Sequence, residues 1–298
     1  MRRFFYATNT DLSAIHNTDT VSSLSPLAVG TTVYLTDSIT HHWCRVLRAS
    51  VGDMGILFDG FGGEYQVQLQ SISKKQASVS VISYRDDDRQ APILSKIGLV
   101  MSRGDRMDYA IQKSTELGVT AIQLLSSQHG EVNLKSGQVE KKLLHWQQIA
   151  IAACEQCGLN RPPLIFAPIP INEWMAHLEE DAITINKTLN PIVNSLGEDA
   201  YYQAINVRTD FRLLLSVPAK DQPLMPSNLL STLTADTSKR PYIELLIGPE
   251  GGLSVEESTM AATAGFESWQ IGHRILRTET APVVALATLH ALTLASAH

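Results

Sequence analysis

The sequence predicts an α/β protein, in which a mostly parallel sheet covered on both faces by helices follows a small β-barrel domain. Three observations support this. Residues 3–84 hold several short β runs bounded by Gly, Asp or Ser. Beyond a charged, Pro-ended stretch at 86–92, strands alternate with helical patterns. An apolar run at 244–247 then stops abruptly at Gly248-Pro249-Glu250-Gly251-Gly252 and opens a helix, the pattern of strand, binding loop and helix.

In the first domain, set at residues 1–88, strands are expected at 3–6, 32–35, 54–58, 65–69 and 77–84, with one helical insert at 41–48. Asp59-Gly60 and Gly62-Gly63 mark a turn between two of them. In the second, set at 89–298, a strand at 97–101 precedes a helix with Met107, Ala110, Ile111 and Leu117 on one face, ended by Gly118. A strand at 121–125 leads to a long helix marked by Val139, Leu143, Trp146, Ile149, Ala150 and Ala153, ending at Gly158. Further strands are expected at 164–166, 213–217, 243–247 and 268–271. Residues of about 178–209 show no clear amphipathic period and read as an insertion packed outside the catalytic core. Thr280 suits the N-cap of a last helix and Pro282 its first turn.

Composition narrows the function classes. In 298 residues, 44% hydrophobic and 18% charged, no apolar run approaches the ~20 residues of a membrane span. The apolar part of the N-terminus is shorter than the ~7 to 15 residues of a signal peptide, so a cytoplasmic protein with no membrane partner is expected. Cys44, Cys154 and Cys157 cannot make a disulfide framework, and the C-x-x-C lacks a second pair at zinc spacing, so no metal is expected. A net charge of −6 argues against a nonspecific nucleic-acid binder. Through Arg89 the chain has eight Lys/Arg against nine Asp/Glu. Any RNA contact must therefore rest on a local patch, for which Arg2, Arg3, Arg45 and Arg48 are the candidates.

The glycine loop has a physical reason to bind something. Glycines let the main chain approach a ligand, and the first turn of the next helix presents unpaired N–H groups. Ser254 and Glu257 stand at capping-box spacing and set that helix start. A tight strand-to-helix connection without a ligand has the same composition, so a second loop matters. Residues 269–272 end another strand, and 275–282 lead into the last helix, so Arg277 and Glu279 are offered at the same carboxyl edge of the sheet.

These stretches, with Arg45-Val46-Leu47-Arg48, Phe58-Asp59-Gly60, Met101-Ser102-Arg103-Gly104, residues 112–119 and residues 152–158, occur in an order that resembles the RsmE-type ribosomal RNA uridine N3-methyltransferases of the trefoil-knotted SPOUT superfamily. Only about 178–209 and part of 9–38 look foreign to that pattern. The resemblance implies a PUA-like RNA-binding β-barrel, a knotted methyltransferase domain, a homodimer, and 16S ribosomal RNA or the assembled small subunit as partner. It implies S-adenosylmethionine as cofactor, held by Leu215, Ser216 and Pro218, by Ile247, Gly248, Pro249, Glu250, Gly251 and Gly252, and by Ile271, Gly272, Leu276 and Thr278.

Methylation at uridine N3 asks for removal or sharing of a weakly acidic proton, alignment with the methyl donor and exclusion of water. Arg277 suits stabilisation of charge on the uracil oxygens. Glu279 either orients Arg277, accepts the proton or merely caps the last helix, and Glu250 either bonds a ribose or stabilises a helix start. Arg103 and Lys113 are assigned to RNA phosphate, although an ion pair would look the same. Two departures stand out: Gln128-His129 replaces a usual Glu-Arg, and Leu159 replaces an arginine for which Arg161 is the nearest substitute.

Two other classes fit parts of the chain. An RNA-binding relative that has lost activity would account for the missing arginines, but it would be expected to lose the glycine loop or Arg277 first. An unrelated α/β enzyme binding phosphate or a dinucleotide is weakened because the loop matches neither G-x-G-x-x-G nor G-x-x-x-x-G-K-[ST].

Overall fold

A computed structural model describes residues 1–6, 27–73, 76–206, 209–218, 224–234 and 239–295. The stretch of 9–38 singled out from sequence therefore lies outside the described residues up to 26. The chain packs as two compact units: Met1–Gln90 with Ile151–Pro162, and Ala91–Ala150 with Pro163–His298. The expected division at 88/89 falls two residues from the first of these boundaries, and membership of 151–162 in the first unit had no sequence signal.

The N-terminal unit contains β1 (Arg2–Phe5), β2 (Thr32–Tyr34), the single helical turn α1 (Asp37–Thr40), β3 (Met54–Phe58), β4 (Glu64–Ile72) and β5 (Ala77–Arg85). Its five-stranded sheet has the order β1-β3-β4-β5-β2, parallel between β1 and β3 and antiparallel elsewhere. Phe4 and Val33, from its two edge strands, reach the same buried cluster as Leu57, Val67 and Val79, so the sheet curls around one core. The helix expected at 41–48 begins earlier, at Asp37, capped by Thr36, and then continues as a π-helical turn over His41–Val46. The π turn carries Trp43, which is buried beside Phe4 with ring centroids 5.0 Å apart. A Cβ on Gly55 would lie 2.6 Å from the same indole, so glycine is required beneath it.

The C-terminal unit runs β6 (Leu94–Val100), α2 (Asp105–Glu116), β7 (Ala121–Ser126), α3 (Ser136–Cys157, whose end belongs to the first unit), β8 (Leu164–Pro170), α4 (Ile171–Ala176), α5 (Ala182–Asn186), α6 (Pro191–Leu196), α7 (Ala200–Gln203), β9 (Phe211–Leu215), α8 (Leu229–Thr234), β10 (Tyr242–Ile247), α9 (Val255–Thr263), β11 (Glu267–Trp269) and α10 (Ala281–Ala295). All strand pairs are parallel, in the order β11-β9-β10-β6-β7-β8. The six strands expected from sequence are these six, with ends shifted by a few residues. Side chains alternate between faces: Leu245 and Ile247 join the cluster of Ile111, Trp146 and Leu286, whereas Leu246 joins Trp174, Ala261 and Phe266. On that second face a Cβ at Gly98 would lie 2.4 Å from the Trp174 ring.

Residues 178–209, expected as an insertion packed outside the catalytic core, supply α5, α6 and α7, and 207–208 lie outside the described residues. Ile183, Ile192, Val193, Leu196 and Tyr202 are fully buried, and Asn190 donates 2.8 Å to the Ile165 carbonyl of β8 and 2.9 Å to Gln147. Helices of only four to six residues are too short to display a 3.6-residue period, which is why the pattern hid them.

A charged ladder crosses the sheet interior. Glu244 on β10 is level with Lys96 on β6 and Arg212 on β9, and accepts from them at 2.6 and 2.7 Å. Tyr242 adds a bond of 3.0 Å. Burial pushes the Glu244 carboxyl up, but the charge of Lys96 and the hydrogen bonds of Arg212 and Lys96 outweigh it and hold the group below its ordinary value.

Candidate functional site

The order of strands makes a switch point: β6, β7 and β8 proceed one way from the centre, and β10 lies between β6 and β9 on the other side. Ligands in open α/β sheets bind outside the carboxyl ends of strands near such a point. Here the ends of β9, β10 and β11 and the loops after them enclose a cleft of about 260 Å³. Its walls are mainly apolar, from Leu215, Ile247, Leu253, Trp269, Ile271 and Leu276.

Each loop is shaped by its own residues. Gly252 adopts φ +73, with open space where a Cβ would sit, so glycine serves the backbone turn there. Ser254 caps α9 by accepting from Glu257 N at 3.2 Å, and Glu257 accepts from Ser254 N at 2.9 Å, completing the expected capping box. The loop after β11 is tied back by Thr278, whose buried hydroxyl donates to the Gly248 carbonyl at 3.3 Å. Two loops singled out separately in the sequence therefore face one space.

Of the residues assigned to a cofactor, Leu215, Ser216, Pro218, Ile247, Gly248, Pro249, Glu250, Gly252, Ile271, Leu276 and Thr278 line the cleft. Gly251 and Gly272 do not. Gly251 backs onto His129, whose Cβ would lie 3.4 Å from a Cβ there, and Gly272 is an exposed turn at φ +77. Glu250 lines the mouth but is already engaged, because Arg106 Nη1 donates to its Oε1 at 2.6 Å. Arg277 and Glu279 flank Thr278 just outside the lining. Arg277 is 77% exposed, 3.9 Å from a Glu279 carboxylate that is 12% exposed. Glu279 Oε2 is buried with no hydrogen-bond partner among the described residues. An exposed guanidinium beside a sheltered carboxylate with one unfilled acceptor can stabilise charge on, and take a proton from, a planar ring.

The arginines expected on RNA divide into two groups. Arg2, Arg45 and Arg48 are exposed, and Arg2 lines a shallow groove with Trp43 and Leu47 next to the π turn that carries Arg45. Arg3 and Arg161 require correction. Arg3 is buried against Glu64 and donates 2.5 Å to Asn160 Oδ1. Arg161, 12% exposed, donates 2.6 Å both to Asp88 and to the Phe61 carbonyl. Both guanidiniums are engaged by acceptors of the N-terminal unit, so Arg161 is little exposed where an arginine absent at Leu159 would need a substitute. Arg103 is exposed, with a loose 3.6 Å contact to Glu131, whereas Lys113 is held in an intrahelical pair with Glu116 at 2.7 Å.

Two groups escaped the sequence reading, and a third was noted there without its place. Arg106 escaped because nothing local links it to Glu250. The Gln128-His129 departure sits against the glycine loop: Gln128 N donates 2.8 Å to Glu257, and His129 Nδ1 is 3.2 Å from the Gly252 carbonyl. Arg274 lines the cleft itself; its signal was its place in the same loop as Arg277.

Comparison with known proteins agrees with this geometry. A family described as an RNA methyltransferase domain matches residues 89–290, and one described as an RNA methyltransferase PUA domain matches 35–82. Proteins named ribosomal RNA small subunit methyltransferase E are similar along most of their length. The one from Buchnera aphidicola subsp. Schizaphis graminum is 28% identical, over 88% of this chain and 92% of that protein. The one from Bacillus subtilis is 27% identical, over 87% and 89%. The crystal structure of ribosomal RNA small subunit methyltransferase E from Neisseria gonorrhoeae, bound to S-adenosyl methionine, superposes with a TM-score of 0.72, at 29% identity over 98% of each chain. With its glycine-loop cleft, its parallel sheet and a matched domain that spans most of its length, this chain belongs to the RNA methyltransferase family.

Proposed function

We propose that the chain transfers the methyl group of S-adenosylmethionine to N3 of a uridine in 16S ribosomal RNA of the small subunit. The observation that carries this is the cleft at the ends of β9, β10 and β11, where apolar walls meet glycine backbone at a switch point. Its residues fit the cofactor. Leu215, Ile247, Ile271 and Leu276 offer apolar surface for a purine, the main chain at Gly252 lies open for close approach, and Glu250 at the mouth is an acceptor suited to a ribose. When bound, S-adenosylmethionine supplies a methyl group already activated on a sulfonium.

The chain's own residues then have positional and electrostatic work. Arg277 stands exposed at the lip and balances negative charge on the uracil oxygens as N3 gives up its proton. Glu279, sheltered and with Oε2 unfilled, receives that proton or holds Arg277 in place. Arg2, Arg45, Arg48 and Arg103 are the exposed cations suited to RNA phosphate. The position of β10 between β9 and β6 supports the knotted threading that the resemblance implies. The outward residues Ala287, Ala291 and Leu294 of α10 support pairing into a homodimer. Among the described residues no helix is long and apolar enough to cross a membrane, in keeping with a cytoplasmic enzyme acting on ribosomal subunits.

Incubation with small subunits lacking the modification and S-adenosylmethionine labelled in its methyl group, followed by nucleoside analysis, tests the proposal. Label in N3-methyluridine is the expected result. Label in another nucleoside, or none despite cofactor binding, overturns it.

A further inference from the structure

Among the described residues lining the cleft only two are charged, Glu250 and Arg274. Glu250 is held by Arg106 at 2.6 Å. Arg274 is exposed and has no acidic partner among the described residues, and it stands on the loop after β11 that lines the cleft together with Ser216 and Pro218. Arg277, three residues on, differs in both respects: it does not line the cleft, and it lies beside Glu279. An exposed guanidinium beside a mainly apolar wall is complementary to one anionic group on the ligand. The proposed cofactor carries a single anion, the carboxylate of its amino-acid end, whereas its nucleoside end is neutral.

We infer that Arg274 binds the carboxylate of S-adenosylmethionine, and that the two arginines of this loop divide their roles, Arg274 serving the cofactor and Arg277 the RNA base. The inference rests on the proposed cofactor. Arg274 is a cofactor-binding residue whose loss is felt only by ligands that keep the amino-acid end.

Two ligands isolate that contact: S-adenosylhomocysteine, which retains the amino-acid end, and 5′-methylthioadenosine, which lacks it. Calorimetric titration of the full-length protein compares wild type with Arg274→Ala, Arg274→Lys and the neighbouring exposed His273→Ala. Arg274→Ala should weaken S-adenosylhomocysteine by about tenfold or more, the size expected for a charge-assisted hydrogen bond. It should leave 5′-methylthioadenosine within about twofold, because that ligand never reaches the arginine. Arg274→Lys should recover part of the loss, and His273→Ala should match wild type. Equal weakening of both ligands would mean that Arg274 shapes the loop without reading the carboxylate, and no weakening of either would mean that it faces elsewhere; each result overturns the assignment. Failure of the wild type to bind either ligand would instead remove the cofactor reading itself.

Discussion

Arg106 Nη1 donates to Glu250 Oε1 at 2.6 Å, joining the first turn of α2 to the glycine loop after β10 across 144 residues of sequence. The loop is held from a second direction by His129 and Gln128, which reach the Gly252 carbonyl and the capping-box Glu257. The glycine-loop backbone at the cleft is thus fixed by side chains outside its lining.

Arg106→Ala should loosen that loop with little effect on global stability, because the two side chains are 40% and 45% exposed and such pairs contribute about 0–1 kcal/mol. Affinity for S-adenosylmethionine should fall by roughly 3- to 10-fold through lost preorganisation. Thermal melts together with calorimetry separate the two effects. A large drop in melting temperature would show the pair to be structural.

Arg277→Ala and Glu279→Gln should lower turnover while leaving cofactor affinity nearly unchanged, since neither side chain lines the cleft. Loss of a charge-stabilising donor typically costs about 10²–10³ in kcat. Single-turnover methylation of small subunits, with cofactor titration in parallel, checks this. Weakened cofactor binding in both variants would place the pair in the cleft wall instead.

The sheet ladder predicts an acid-sensitive component of stability. The folded Glu244 carboxyl titrates below its ordinary value, through Lys96 and Arg212 acting against burial. Its contribution is therefore complete above the unfolded pKa of about 4.3 and is lost as pH falls through the lower folded value. Glu244→Ala leaves Lys96 buried without its partner and should cost about 3–5 kcal/mol at pH 7. Urea denaturation of wild type and variant at pH 7 and near pH 4 should show the difference shrinking with acid.

The exposed and buried arginines should separate cleanly. Arg2→Ala, Arg45→Ala and Arg48→Ala together should reduce RNA affinity and lower the salt slope by roughly 0.7 per lost single-strand phosphate contact. Arg161→Ala should instead destabilise the protein, because Asp88 and the Phe61 carbonyl lose a nearly buried donor. Filter binding at several salt concentrations and a thermal melt distinguish the outcomes.

Ser254→Ala should cost about 1 kcal/mol through loss of the α9 cap. The cost should extend to the loop of 127–134, since Glu257 also accepts from Gln128 N. Hydrogen exchange at Gln128 reads the second effect directly.

What could be read from sequence was what neighbours in the chain decide. The six parallel strands, the Ser254–Glu257 cap and the glycine loop follow from periodicity and backbone freedom within a few residues. The short helices at 182–203 lacked enough turns to show a period, and nothing local marked the π turn at His41–Val46 that carries the buried Trp43.

The sequence by itself determined which loops line the cleft and which strands present them, because glycine conformation and side-chain alternation are local properties. Only the tertiary structure decided which charges remain available. Arg3, Arg161, Lys96 and Arg106 look alike in sequence, yet each is claimed by a carboxylate from a distant segment, whereas Arg274 and Arg277 stay exposed at the site. An ion pair depends on where two side chains meet after the sheet has assembled, and no local pattern encodes that meeting.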